Sequence, residues 1–441
     1  MGDWREEFKR KTISAEEAAN LVKSGDRLSF TMGREAYAVG LALACRKEEL
    51  RDVKMYVHAP GYDLGWYDPE WKDSFDITVG LPTPLVQEAV DEHRVDVFLH
   101  GLIPAGFPGF RGDDGAPDIV ITEVSPPDDK GFCSFGSSLW DKKKQIRRAK
   151  LTIAEVNDSL IRTYGENYIH ISEIDYFVPH ISTEGAPGKR GSLTGREIKE
   201  PPAYIKNIVG YVSELIRDGD TIQIGVGRTT EALVTSGLFD NKRDLGWHSE
   251  ATPPGVISLI KSGVINGSRK TINPGKAVVT SIGGSSREEM EWVSGNPSIW
   301  LVEADYLEDI RVIAAHDNMV ALNSALMVDL LGTIACETIG TKRYALSGGQ
   351  LAFGCGAWLS KGGRYIVVLS STVETKDGRL SRIVPMFPPH TVTSIPSMVA
   401  DYIVTEYGVA RLAEKSVFKR GEALISIAHP DFRAELKKAV R

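Results

Sequence analysis

Along the chain, short β-branched apolar runs alternate with longer amphipathic or polar stretches. The runs "VKMYVHA", "VDVFLHGL", "PDIVITEVS" and "KLTIAEV" fall in the first half, and "AVVTSI", "RYIVVLSS" and "DYIVTEYG" in the second. Runs of about four to eight such residues, bounded by turn formers and separated by helical spacings, predict buried strands of mostly parallel sheet covered by helices. Two distant segments repeat one order of elements. "AANLVKSGDRLSFTMGREAYAV" and "YVSELIRDGDTIQIGVGRTTEAL" pair at an offset of 194 residues: Leu21 with Leu215, Gly25-Asp26 with Gly219-Asp220, and Gly33-Arg34 with Gly227-Arg228. Each reads as a helix end, a Gly-Asp turn, a short strand, a Gly-containing loop and a second helix. The expectation is an α/β protein of two similar open domains. The polar, Gly-rich stretch "GKRGSLTGREIKEPPAY" sets the division at residues 1–200 and 201–441.

Composition narrows the class. The chain has 441 residues, too many for one ordinary core, and its 42% apolar and 25% charged residues are those of a globular protein. A net charge of −7 offers no basic excess for nucleic acid. Cys45, Cys133, Cys336 and Cys355 form no CxxC pair, which fits a reduced, cytoplasmic protein without structural zinc. The start "MGDWREEFKRK" is no secretory leader, and "MVALNSALMVDLLGTIAC" is interrupted by Asn323 and Asp329, so no membrane span is expected.

Several stretches carry candidate chemistry. In "QIGVGRTTEAL", glycines before a helix let an anionic ligand approach backbone N–H groups, although Thr230 stands where a dinucleotide fingerprint has its third glycine. "SGGQLAFGCGAWLSKGG" holds Gly348, Gly349, Gly354, Gly356, Gly362 and Gly363; it reads either as a flexible loop or as N–H donors for an oxyanion. "SPPDDKGFCSFG" is a turn at a strand's carboxyl end, where open α/β sheets bind ligands. In "DLGWHSEATPPG", the adjacent His248, Ser249 and Glu250 cannot converge as a triad, no G-x-S-x-G elbow or HExxH is present, and Cys355 reads as an inert thiol. Glu250 is either a surface acid or a nucleophile; as a carboxylate it attacks an activated acyl group such as a thioester, given an adjacent oxyanion hole.

Nearly the whole chain resembles the acetyl-CoA hydrolase/transferase family of class I CoA-transferases, in its 4-hydroxybutyrate or butyrate:acetate type. The blocks that carry the resemblance are "DIVITEVSPPDDKGFCSFG", "AKLTIAEVND", "IRDGDTIQIGVG", "DLGWHSE", "VALNSALMVDLLG", "SGGQLAFGCGAWLSKGGR", "DYIVTEYGVARL" and "ALISIAHPDFRAEL". The resemblance implies an active site at an interdomain cleft and a CoA-transferase that works through a covalent glutamyl intermediate, with an acyl-CoA hydrolase as the alternative. It places the nucleophile at Glu250 and oxyanion donors at Gly349 and Gly348. It assigns substrate or CoA contacts to Gly225, Gly227, Asn323 and Glu406; Gln350 and the non-family Arg228 are further substrate-contact candidates, and Lys361 is the candidate for a CoA phosphate. It further implies acyl-CoA and small carboxylic acids as substrates, no resident cofactor or metal, and a homodimer or homotetramer. A non-catalytic acyl-CoA-binding protein and a nucleotide-binding oxidoreductase are the readings from other classes. The chain departs from the family pattern near the site: "GVGRTT" for "GIGAIP", "EATPPG" for "EMFSDG", "AFGCGA" for "DFVRGA" and "MVDLLGT" for "EVDLTGQ". These changes imply a retained nucleophile in a remodelled acyl or acceptor pocket. Loss of an Arg fits a less polar acid, Arg228 fits a dicarboxylate, and Pro253-Pro254 is the stretch expected to encode which acid is accepted.

Overall fold

The computed structural model describes residues 3–33, 36–98, 115–181, 200–283, 286–346, 348–376 and 378–439. Arg34, the end of the run "VDVFLHGL" and most of the stretch expected to divide the domains lie outside them. The chain forms two compact units. The first comprises Met1–Glu197, Thr280–Ile282 and Met290–Asp305; the second comprises Ile198–Val279, Gly283–Glu289 and Tyr306–Arg441.

The first unit is built on seven strands: β1 (Arg27–Phe30), β2 (Val53–Val57), β3 (Phe75–Val79), β4 (Val95–Val97), β5 (Ile119–Val124), β6 (Leu151–Val156) and β7 (Tyr176–Pro179). Their order is β7-β6-β5-β1-β2-β3-β4, and every pairing is parallel. All six residues of β5 are buried, as expected of a strand covered on both faces. Helix α1 (Tyr37–Ala44) follows β1; its Val39 and Leu43 join Phe30, Val57, Ile77 and Ile121 in one core.

The second unit repeats this plan with β8 (Thr221–Ile224), β9 (Gly246–Ser249), β10 (Ala277–Val279), β11 (Met319–Ser324), β12 (Arg364–Val368), β13 (Tyr402–Thr405) and β14 (Gly408–Arg411). The order is β14-β13-β12-β11-β8-β9-β10, with only the hairpin β13–β14 antiparallel among these pairings. In both units the chain builds outward from its first strand, returns, and builds on that strand's other side. The repeat extends to atomic detail at the Gly-Asp turn. Gly25 and Gly219 have φ of 83° and 85°, in the left-handed region that glycine occupies without strain. Asp26 accepts the Lys23 N–H at 2.7 Å, and Asp220 accepts the Arg217 N–H at 2.7 Å. Backbone bonds Gly25 N to Arg51 O and Gly219 N to Arg243 O tie each turn to the loop before the next strand, at 3.0 and 3.1 Å.

Helices α2 (Tyr204–Leu215), α3 (Arg228–Thr235), α4 (Val256–Lys261), α5 (Ile310–Ala314) and α6 (Gln350–Leu359) flank this second sheet, with α6 packed on β11, β12 and α5. The glycine-dense stretch is therefore a helix for most of its length and not a flexible loop. Gly354 fits against the Tyr365 ring, where a Cβ would lie 3.1 Å from ring carbon. Gly356 fits against Ile313, where a Cβ would lie 2.3 Å from Cγ2. Among the described residues, no helix is long and apolar enough to cross a membrane.

Candidate active site

In an open parallel sheet, the strands beside the first one diverge at their carboxyl ends and leave a crevice there. In the second unit that point lies at β8, between β9 and β11. The register pairs Ile222 with Trp247 and Ile224 with Leu322. Gly225 and Glu250, each the first residue beyond its strand, thus stand side by side at the carboxyl edge, with Asn323 and Ser324 at the end of β11. Glu406 follows β13 at the same edge.

Glu250 is partly exposed, and the backbone N–H of Gly349 donates to its Oε1 at 2.9 Å. Gly348, with φ of 51°, makes the turn that aims this N–H. A Cβ on Gly349 would lie 2.3 Å from Glu250 Oε1 and 2.9 Å from Oε2 of a second acid, Glu308. Glu308 is 1% exposed, and its carboxyl lies beside that of Glu250, within reach of one hydrogen bond between the two. Burial and the neighbouring Glu250 push Glu308 well above the usual carboxylate range. Burial also raises Glu250, opposed by its hydrogen bonds to Glu308 and Gly349.

The residues expected beside Glu250 divide by what holds them. Asn323 exchanges hydrogen bonds with Gln223: its Nδ2 donates at 2.9 Å, and its Oδ1 accepts at 3.3 Å. This amide pair backs Gly225, where a Cβ would lie 2.2 Å from Asn323 Oδ1. Thr230, at the absent third glycine, donates to the carbonyls of Gly225 and Gly227 at 2.6 and 3.0 Å and so fixes the loop. Arg228 opens α3 with an exposed side chain. Gln350 ties the start of α6 to the Ser324 carbonyl and the Tyr365 hydroxyl. Glu406 accepts the N–H and hydroxyl of Ser371 at 2.9 and 2.6 Å. Pro253 is buried and, with Pro254, leads into α4 through Gly255 at φ 92°.

Lys361 is not brought to this edge. It precedes β12 at the sheet's amino edge, where its carbonyl accepts the Asn318 N–H; its side chain is 88% exposed and 3.7 Å from Asp317. His248 faces inward. Its Nε2 meets the Leu307 carbonyl at 2.8 Å, its ring contacts His316, and burial holds it neutral, well below the ordinary histidine value. Ser249 bonds the backbone of Ile224. Burial raises the Cys355 thiol, which matches an inert cysteine. The turn at Ser125–Gly136 is fastened by Asp128, which accepts from Lys130, Phe132 and Arg162. Glu308 was not legible beforehand: in "YLEDIRV" it reads as a surface acid ahead of a short helix.

Family models of the acetyl-CoA hydrolase/transferase N-terminal and C-terminal domains match residues 2–183 and 285–440. The 4-hydroxybutyrate coenzyme A transferase of Clostridium kluyveri is 36% identical, over 98% of each chain. The succinyl-CoA:cyclohexane-1-carboxylate CoA transferase of Geobacter metallireducens is 34% identical, over 99% of this chain and 97% of that one. Among solved structures, RipA from Yersinia pestis superposes with a TM-score of 0.88 at 30% identity, over 99% of this chain and 98% of that one. A 4-hydroxybutyrate CoA-transferase from Porphyromonas gingivalis does so with 0.77 at 31%, over 100% and 99%. With both domains matched and relatives above 30% identity along the full length, the chain belongs to the acetyl-CoA hydrolase/transferase family, as an enzyme of its CoA-transferase kind.

Proposed function

We propose that the enzyme moves CoA from an acyl-CoA to a small free carboxylic acid, with Glu250 as the group that carries the acyl and then the CoA. An ionised Glu250 oxygen attacks the thioester carbonyl; the C–S bond breaks, leaving an acyl-glutamyl anhydride and CoA thiolate. The thiolate attacks the glutamyl carbonyl, expelling the first acid and leaving a glutamyl-CoA thioester. The acceptor carboxylate attacks that thioester and frees the thiolate, which then attacks the new acyl carbonyl. The new acyl-CoA leaves, and Glu250 is ionised again. No water is consumed and no proton is gained or lost overall.

One observation carries this reading: the Gly349 N–H donates to Oε1 of Glu250 at the carboxyl edge of the sheet. In the two steps where the glutamyl carbonyl is attacked, negative charge develops on a Glu250 oxygen. A fixed N–H there stabilises that charge with no reorganisation, an effect of about 3–4 kcal/mol for one such donor. The relatives named as transferases of 4-hydroxybutyrate and cyclohexane-1-carboxylate support a small acid as acceptor. Incubation with an acyl-CoA, followed by mass spectrometry, is expected to find one CoA per chain on wild type, lost to hydroxylamine, and none on Glu250→Ala. An adduct of equal yield on Glu250→Ala would sink the assignment.

A further inference from the structure

The carboxyl of Glu308 is sealed in the protein at 1% exposure, and among the described residues neither of its oxygens receives an N–H or hydroxyl hydrogen bond. The group it faces is Glu250, another carboxyl, with an oxygen of each crowding one point above Gly349. Two carboxylates are both acceptors, so one hydrogen bond between them requires one proton. An ionised carboxylate in such a place would be buried, unpaired and beside a like charge, which is prohibitive. The proton therefore resides on Glu308, the more deeply buried partner, and Glu250 keeps the charge. Glu250 also faces the Gly349 N–H, a donor that favours its ionised form.

We propose that Glu308 is a positioning residue of the reaction: its neutral carboxyl donates to Glu250 and, together with the Gly349 N–H, fixes the attacking carboxylate. This rests on Glu250 being the nucleophile. The pair then holds one negative charge while the enzyme is free, and none while Glu250 is acylated or carries CoA. Each time Glu250 is regenerated, the donor is already in place.

A pair that works with one proton has two pH limits. Below the lower one Glu250 is protonated and cannot attack; the raised value places this limb above the ordinary glutamate range. Above the upper one Glu308 ionises against Glu250, the hydrogen bond becomes a repulsion, and activity falls. Other titrating groups stand on the surrounding elements. From β9, His248 is held neutral. His316, after α5, is lowered to about 4, and Lys270, which donates to the Trp247 and Lys276 carbonyls, is lowered to about 7. Asp309 and Arg311 pair with each other at the surface beside Glu308. Helix α6 presents Cys355, whose thiol is raised, and β12 presents Tyr365, raised and bonded to Gln350. An alkaline limb that came from Lys270 would persist when Glu308 is replaced, which separates the two.

The test is the pH profile of kcat for wild type, Glu308→Gln and Glu308→Ala, read with the CoA-adduct assay. Glu308→Gln keeps an N–H donor but cannot ionise. It is expected to stay within about threefold of wild type at the optimum and to lose the alkaline limb. Glu308→Ala removes the donor and is expected to lose about tenfold or more in kcat, with little change in KM. An unchanged alkaline limb in Glu308→Gln, or an unimpaired Glu308→Ala, overturns the proposal. Infrared spectroscopy of unaltered protein at neutral pH supplies an answer that does not depend on a variant folding: the carbonyl stretch of a buried neutral carboxylic acid is expected, and its absence refutes the protonated Glu308. Failure of the nucleophile reading looks different, because it leaves the CoA adduct intact in Glu250→Ala.

Discussion

A methyl group on Gly349 would lie 2.3 Å from Glu250 Oε1 and 2.9 Å from Glu308 Oε2, closer than carbon and oxygen approach without bonding. Glycine is needed here because the backbone must approach two carboxyls at once while its N–H points at one of them. The φ of Gly349 is −75°, which alanine adopts freely, so the constraint is space and not backbone strain. Gly349→Ala is therefore expected to keep its backbone conformation, to lose about 1–3 kcal/mol of stability to overpacking, and to lose about a hundredfold or more in kcat, because the Glu250 carboxyl is displaced from the N–H. Thermal melting and steady-state kinetics on the same preparation check it. A Gly349→Ala enzyme with kcat near wild type would show that the Gly349 N–H does not act on Glu250 during turnover.

At the scale of elements, α6 delivers Gly349 to the site, and glycines inside the helix set how closely it packs. Gly356 lets α6 touch α5, with a Cβ position only 2.3 Å from Ile313 Cγ2. Gly356→Ala is expected to cost about 1–3 kcal/mol in denaturant unfolding, as overpacking does. It should also lower kcat by shifting the start of the helix, whereas Cys355→Ala one position away leaves both nearly unchanged. Equal stability of Gly356→Ala and wild type would refute the packing argument. This helix also explains where reading from the sequence stopped. Glycine density reads as a loop because isolated glycines disfavour helix, and tertiary packing overrides that preference here. Lys361 follows the Gly-rich block in sequence, but a ten-residue helix carries the chain about 15 Å, from one sheet edge to the other. The β-branched runs at Ile119–Val124, Leu151–Val156 and Arg364–Val368 were legible because burial on both faces demands them. β9, "GWHS", was not, because its His and Ser are buried through hydrogen bonds to Leu307 and Ile224 that no local pattern announces. Glu250 was legible only through its block and neighbours. Glu308 was invisible because its burial beside Glu250 is a tertiary contact.

For the molecule as a whole, both units build outward from their first strand and then on its other side, yet Glu250, Gly349, Gly225, Asn323 and Glu406 all belong to the second unit's carboxyl edge. The consequence lies in the balance of the reaction. In a transfer cycle, the glutamyl-CoA thioester is broken by a carboxylate, and the thiolate it releases is recaptured by the new anhydride; free CoA is never a product. In hydrolysis, water breaks the same thioester and CoA accumulates with every turn. Water attack needs a base beside the glutamyl carbonyl. Among the described residues the buried acid there is Glu308, whose raised affinity for its proton makes it a poor base. Transfer is therefore expected to dominate. With acyl-CoA and no added acid, thiol release measured with a chromogenic disulfide should stop at or below one equivalent per chain. With a small carboxylic acid present, new acyl-CoA should form over many turnovers, still without free thiol. The range of acids that restores turnover, straight-chain, dicarboxylic or cyclic, then reads out the acceptor pocket, and Arg228→Ala should raise KM for dicarboxylates alone if its exposed guanidinium meets the second carboxylate. Sustained thiol release without any acid, at a rate matching the transfer rate, would mean that water reaches the thioester as readily as an acid does, and the enzyme would then be a hydrolase.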